Sequence, residues 1–260
     1  MRTRASAFRR MESTTLFIIV AIFIVAVLYS SVGHGGASGY LAVLGFFAVA
    51  ADIAKPTAFM LNIFVASFGA FQFIRLGYFS WRKFWPFALT SIPVSYFSQM
   101  IKLPAGTYKL LLGATLLLAA LRLVWKFTSG VESTDPPIWV CLIVGALIGL
   151  LSGLVGVGGG IFLTPILLLM NWSDIKTAAG ISALFILVNS VSGLIGNIGK
   201  IEQLPPMVWA WLVAAIIGGM IGSTLGSHRF DTLMLRRVLG VVLAFAGINL
   251  AIDGAKLLLG

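Results

Sequence analysis

Long apolar runs constrain this chain more than any other feature of it. Eight of them, at about 14–32, 56–76, 84–101, 105–127, 137–155, 177–198, 206–227 and 234–252, approach or reach the length of a membrane span. A helix needs about 20 apolar residues to cross roughly 30 Å of hydrocarbon. A soluble core of this size would need a polar wrapping that is missing here. Of the 260 residues, 59% are hydrophobic and only 10% are charged, where an ordinary soluble domain carries about 25% charged residues. The expected fold is an all-α polytopic membrane protein.

Two further apolar runs are too short to cross. Residues 36–50 and 160–170 give about 22 Å and 16 Å of helix at about 1.5 Å per residue. Each follows a glycine cluster, and each ends at an acidic turn, Asp52 or Asp174. They read as broken or re-entrant half-helices, giving about 8 crossings plus two half-helices, or ten helices if both cross. Eight crossings with the N-terminus inside leave more Lys and Arg on the inner side, as the positive-inside rule asks. Arg2, Arg4, Arg9 and Arg10 precede the first run. That run reads as a retained span, because no A-x-A-like signal cleavage site follows it.

The formal net charge of +10 gathers at run ends, where basic residues set topology and meet anionic headgroups. It implies the lipid bilayer as a partner and not nucleic acid. Cys141 is the single cysteine, which excludes an intrachain disulfide and cysteine ligation of a metal or cluster. No cofactor is expected.

The chain divides at its longest break, 128–137, into two repeated halves, 1–130 and 131–260. Gly33-His34-Gly35-Gly36 matches Gly156-Val157-Gly158-Gly159, and about twenty residues later Asp52-Ile53-Ala54-Lys55 parallels Asp174-Ile175-Lys176. The spans that follow carry Asn62, Ser67 and Gly69 in one half, and Asn189, Ser190 and Gly193 in the other. Four crossings per half would make the repeats parallel and five would make them inverted. Paired interrupted helices in corresponding places point to a transport site near the bilayer midplane.

A break at membrane depth survives only where protein or a watery cavity shields its backbone. A G-x-G-G run exposes consecutive N–H groups, and the helix after it presents a positive N-terminus, so the pair can hold an anion without a buried Lys or Arg. The candidate binding residues are Gly33, His34, Gly35, Gly36, Gly156, Gly158, Gly159 and Gly160, together with the span residues Asn62, Thr164 and Asn189. The glycines also have a packing reading, since small residues let helices approach closely. Asn62 and Asn189 read equally as ties between helices. His34 is an anion donor, a proton carrier or an interfacial histidine bonded to water. Lys55 and Lys176 read first as solvated turn charges, and second as vestibule charges that attract anions. No metal site is expected, because His228 has no acidic cluster beside it. The acidic residues fall at run ends and loops, so a carboxylate relay of the kind used by cation pumps has no candidates.

Segments 31–42 and 149–165, with Gly33-His34-Gly35-Gly36-Ala37-Ser38-Gly39 and Gly156-Val157-Gly158-Gly159-Gly160-Ile161-Phe162-Leu163-Thr164-Pro165, and the Asn189-Ser190 element, resemble the sulfite exporter TauE/SafE family of membrane permeases. The resemblance covers nearly the whole chain. It implies a multi-pass permease of the cell inner membrane that moves a sulfur-containing or other small organic anion, such as sulfite or an organosulfonate, often outward. It leaves the substrate, direction and coupling ion open, and a homodimer is compatible with it. An anion channel is the runner-up, since half-helices also build channels. An intramembrane serine protease is the distant third. Gly36-Ala37-Ser38-Gly39 looks like a G-x-S-G motif, but His34 is only four residues from Ser38 and the second cluster has Ile161 in the serine's place.

Overall fold

The computed structural model describes residues 2–31, 35–124, 133–202, 204–226 and 232–259, and among them every regular element is a helix. Eight are long: α1 (Arg2–Ser31), α3 (Ala51–Arg75), α4 (Trp81–Ser98), α5 (Ala105–Val124), α6 (Ile138–Val155), α8 (Ile175–Ile195), α10 (Met207–Gly226) and α11 (Thr232–Leu259). Two are half-helices of 10 residues each, α2 (Ala37–Phe46) and α7 (Gly160–Leu169). A single short turn, α9 (Ile198–Ile201), follows α8. Five stretches are long and apolar enough to cross a membrane: Ala51–Arg75, Ala105–Arg122, Ile138–Val155, Ile175–Ile195 and Gly240–Leu259. The chain is a polytopic helical membrane protein.

Outward faces carry large apolar side chains such as Phe17, Phe71, Val241 and Phe245, each exposed in the isolated protein. Trp81, Trp139 and Trp209 are exposed in the first turns of α4, α6 and α10. Indoles at helix ends sit at headgroup depth, where the ring is apolar and the N–H meets water. Lipid tails are as apolar as leucine, so close packing and hydrogen bonds hold such helices together, not exclusion from water. Small residues at the seams serve that purpose. On α6, Gly145, Gly149 and Gly153 lie on one face against the backbone of α4; a Cβ at Gly149 would stand only 2.7 Å from Ser91 Cα. Gly113 of α5 and Gly247 of α11 meet in the same way.

The packing order crosses the middle of the chain. α3 and α8 pack on each other at the centre; α4 then packs on α6 and α8, while α10 packs on α1 and α3, and α5 pairs with α11. Each half-helix lies against the long helix that follows it, α2 on α3 and α7 on α8.

The half-helices also end alike. After α2, Ala48 takes a left-handed conformation (φ 54°), its N–H bonds the Gly45 carbonyl at 3.0 Å, and the Val49 N–H bonds that of Leu44 at 2.9 Å. After α7, Asn171 does the same (φ 53°), with Asn171 N–H on Leu168 at 3.2 Å and Trp172 N–H on Leu167 at 2.8 Å. Both are Schellman closures, which satisfy the last carbonyls and reverse the chain.

Beyond these closures the halves diverge. Asp174 is the N-cap of α8, and its carboxylate accepts from the N–H groups of Lys176 at 3.0 Å and Thr177 at 3.1 Å. Asp52 instead lies inside the first turn of α3, whose N-cap is Ala50, and pairs with Lys200 at 2.5 Å. The same Asp-Ile pair therefore enters its helix two positions apart, and the lysines after it face different surroundings.

Candidate functional site

The second break is built by three glycines in a row of four. Gly156, the C-cap of α6, has φ 97°, and Gly158 and Gly159 have φ 77° and 83°. A side chain in this region costs roughly 1–2 kcal/mol per residue. At Gly158 space forbids one as well: a Cβ would stand 2.7 Å from Asn62 Nδ2 and 2.9 Å from Ser190 Oγ. Residues Val157, Gly158 and Gly159 are buried. Among the described residues, no acceptor takes up their N–H groups. Buried N–H groups without partners are rare in proteins and call for water or a ligand.

The first break is described from Gly35 onward; Gly33 and His34 lie outside the described residues. The first N–H of α2, on Ala37, donates to Asn62 Oδ1 at 3.1 Å, and Asn62 Nδ2 donates to Ser190 Oγ at 3.2 Å. Asn62 and Ser190 are both fully buried. A Cβ at Gly35 would stand 2.8 Å from Asn62 Oδ1 and 3.0 Å from Ile186 Cγ2, and Ile186 Cγ2 is also 3.2 Å from the Cβ position of Gly158. One amide on α3 and one isoleucine on α8 therefore touch both breaks. The two glycine clusters meet.

Other expected site residues stand back from that point. Gly159 abuts Phe185 and Ile148, and Gly160 lies against Ile186. Thr164 Oγ1 lies 3.1 Å from the Gly160 carbonyl oxygen and 2.6 Å from Ser182 Oγ. With its one proton on the carbonyl, it accepts from Ser182 and ties α7 to α8. Asn189 turns to α4, where Nδ2 donates to Ser91 Oγ at 3.1 Å and to its own helix at the Phe185 carbonyl, 2.9 Å away. Its Oδ1 is buried without a partner among the described residues. Ser190, one position on, is the residue that meets the breaks.

Tyr40 carries no signal in the sequence that sets it apart from a core aromatic. Its ring folds back over Gly36, whose Cβ position is 2.7 Å from the Tyr40 hydroxyl. That hydroxyl is fully buried and has no partner among the described residues. Ser38, on the next turn, is bonded to the Tyr29 hydroxyl at 2.7 Å, so its oxygen is engaged in helix packing.

Asp52, Asp135, Asp174, Glu202 and Asp253 are all exposed. Ion pairs join Arg82 to Asp135 at 3.2 Å, Lys109 to Asp253 at 3.6 Å and Lys200 to Asp52. Burial works to raise the carboxyl pKa of Asp174, but the hydrogen bonds from Thr177 and Lys176 hold it below the ordinary carboxylate range. The neighbourhood of the breaks holds amides, hydroxyls and N–H groups and, among the described residues, no acid.

Two interrupted helices meet in a centre that is polar and, among the described residues, free of acids, an arrangement found in membrane transporters. The family model for the sulfite exporter TauE/SafE matches residues 18–250, and the chain belongs to that family. It is 36% identical over 245 residues to a probable membrane transporter protein of Sinorhizobium fredii, covering 92% of this chain and 99% of that one. Further relatives are a probable membrane transporter protein of Methanocaldococcus jannaschii, 26% identical over 86% of this chain and 92% of its own, and one of Bacillus subtilis, 28% identical over 86% and 93%. No solved structure matches the chain. A transporter family leaves no place for the protease reading.

Proposed function

We propose that this transporter is a permease of the cell inner membrane for a small anion, sulfite or an organosulfonate, bound where the two breaks meet. The observation that carries the reading is the Asn62 amide, held between Gly35 and Gly158 beside three buried N–H groups that have no acceptor among the described residues. Such groups lose water on burial and regain hydrogen bonds when an oxyanion enters. The printed name of the family, sulfite exporter, supports the same class of cargo.

In this reading Gly35, Gly36, Gly156, Gly158, Gly159 and Gly160 shape the cradle, and Asn62 orients the anion. Thr164 and Asn189 hold the surrounding helices in place. Gly33 and His34, outside the described residues, belong to the first glycine cluster by sequence, and His34 is assigned the link between transport and protonation. The halves 1–130 and 131–260 act as repeats that exchange α4 and α10 across the centre. Purified protein titrated with sulfite, thiosulfate, sulfoacetate, taurine and lactate tests the cargo. A ligand present at about 100 times its Kd stabilises the folded state by about 2.7 kcal/mol, so sulfite or sulfoacetate is expected to raise the melting temperature. If none of the five does so, the assignment is wrong. For His34→Ala, the pH profile of sulfite uptake is expected to change; an unchanged profile would remove His34 from the scheme.

A further inference from the structure

The sequence repeat treats Lys55 and Lys176 as equivalents, but the structure separates them. Lys176 is exposed, with its ammonium 3.1 Å from the Tyr78 hydroxyl and 4.8 Å from the centre of the Tyr78 ring. Lys55 sits five residues into α3, part-buried, and its stem packs on the second break: the Cβ position of Gly156 is 3.3 Å from Lys55 Cγ and 3.4 Å from Lys55 Cα. Seven residues further along α3, about 10.5 Å at about 1.5 Å per residue, Asn62 meets Gly158. The loop from Gly156 to Gly158 thus runs along one face of α3, from the stem of Lys55 to the amide of Asn62. The N–H groups that have no acceptor among the described residues lie in that loop and just beyond it.

Lys55 also lacks a counter-ion. No ion pair among the described residues includes it. The acid beside it, Asp52, is paired with Lys200. Among the described residues, its ammonium lies over the ring of Tyr108, 5.9 Å from centre to Nζ, and the Tyr108 hydroxyl is itself turned to the Val155 carbonyl at 3.4 Å. Lys200 pairs with the Asp52 carboxylate, and Lys55 and Lys102 lie near enough to act on the same charge. A part-buried ammonium with no ion pair among the described residues attracts anions and repels cations.

Building on the anion reading above, we infer that Lys55 supplies the charge of the site and selects anions over zwitterions. The anion passes Lys102 and Lys200, pairs with the Lys55 ammonium, and takes hydrogen bonds from the Gly156–Gly159 loop. An aminosulfonate such as taurine carries its own ammonium and is disfavoured. Only one of the two repeats carries this group, so the site is electrostatically lopsided even though its cradle is double.

The test titrates sulfite, sulfoacetate and taurine into full-length wild type, Lys55→Met, Lys55→Arg and Lys176→Met. In wild type, sulfite and sulfoacetate are expected to bind at least tenfold more tightly than taurine. Lys55→Met should weaken both anions at least tenfold and erase that preference, while Lys55→Arg and Lys176→Met stay within about threefold of wild type. An independent reading needs no variant: bound sulfite should protect Lys55, and not Lys176, from amine acetylation followed by peptide mass spectrometry. If wild type binds sulfite but Lys55→Met matches it within twofold, or Lys55 is not protected, the role of Lys55 is overturned and the anion site stands. If wild type binds neither anion, the anion site falls and Lys55 with it.

Discussion

Asn62 is the side chain on which the two breaks depend. Its carbonyl oxygen takes the first N–H of one half-helix, and its amino group reaches the helix that follows the other. Hydrogen bonds between membrane helices contribute about 0.6 kcal/mol each on average, so Asn62→Ala is expected to lower stability by only about 1 kcal/mol. Transport should fall much further, at least tenfold, because the group proposed to orient the anion is gone. Melting and uptake measured on the same preparation separate the two effects, and a loss of uptake no larger than the loss of folded protein would make Asn62 a mere tie. The sequence marks Asn62 as a buried amide that must find partners. It does not tell which of Asn189 and Ser190 faces it, since neighbours on a helix point about 100° apart and nothing local fixes the rotation of α8. Lys55 was obscured for a related reason. It looks like Lys176 in sequence, but it stands three positions further into its helix, five residues past the N-cap Ala50 against two past Asp174, and packs on Gly156.

Among the elements, the half-helices were the most legible, because a short apolar run after a glycine cluster admits few other readings. The expected runs 36–50 and 160–170 correspond to Ala37–Phe46 and Gly160–Leu169. The first ends earlier than its apolar run because of the Schellman turn at Ala48, which no glycine announces. Alanine at φ 54° is strained by roughly 1–2 kcal/mol. Ala48→Gly should therefore raise the melting temperature, by the equivalent of about 1 kcal/mol, with uptake unchanged; a lower melting temperature would show that the turn depends on the alanine side chain. The α8 start makes a second prediction. Loss of an N-cap costs about 0.5–2 kcal/mol, so Asp174→Ala should destabilise the protein at neutral pH. The folded pKa of Asp174 lies below its ordinary value, and a depressed carboxylate stabilises only above its unfolded pKa of about 3.9. The gap between wild type and Asp174→Ala should close as pH falls through the folded value. A gap that persists in acid would mean that the aspartate acts by packing and not by its charge.

For the whole molecule, the apolar composition and the scarcity of charge were enough to read a polytopic helical bundle. They did not reveal that α4 and α10 each pack on helices from the opposite half of the sequence, because uniformly apolar helices carry no directional pattern to show which face meets which. That exchange is what brings α3 and α8 together and places two distant glycine clusters against one amide. Carrier function requires the paired breaks to act as one site, alternately open to either side. Counterflow tests this most directly. Proteoliposomes loaded with unlabelled sulfite are placed in a trace of isotopically labelled sulfite, and label accumulation is followed. Wild type should show a transient overshoot, and Gly35→Val and Gly158→Val, inserted in equal amount, should show none. An overshoot that survives in both variants, or wild-type uptake that ignores internal sulfite altogether, would contradict a shared carrier site at the breaks.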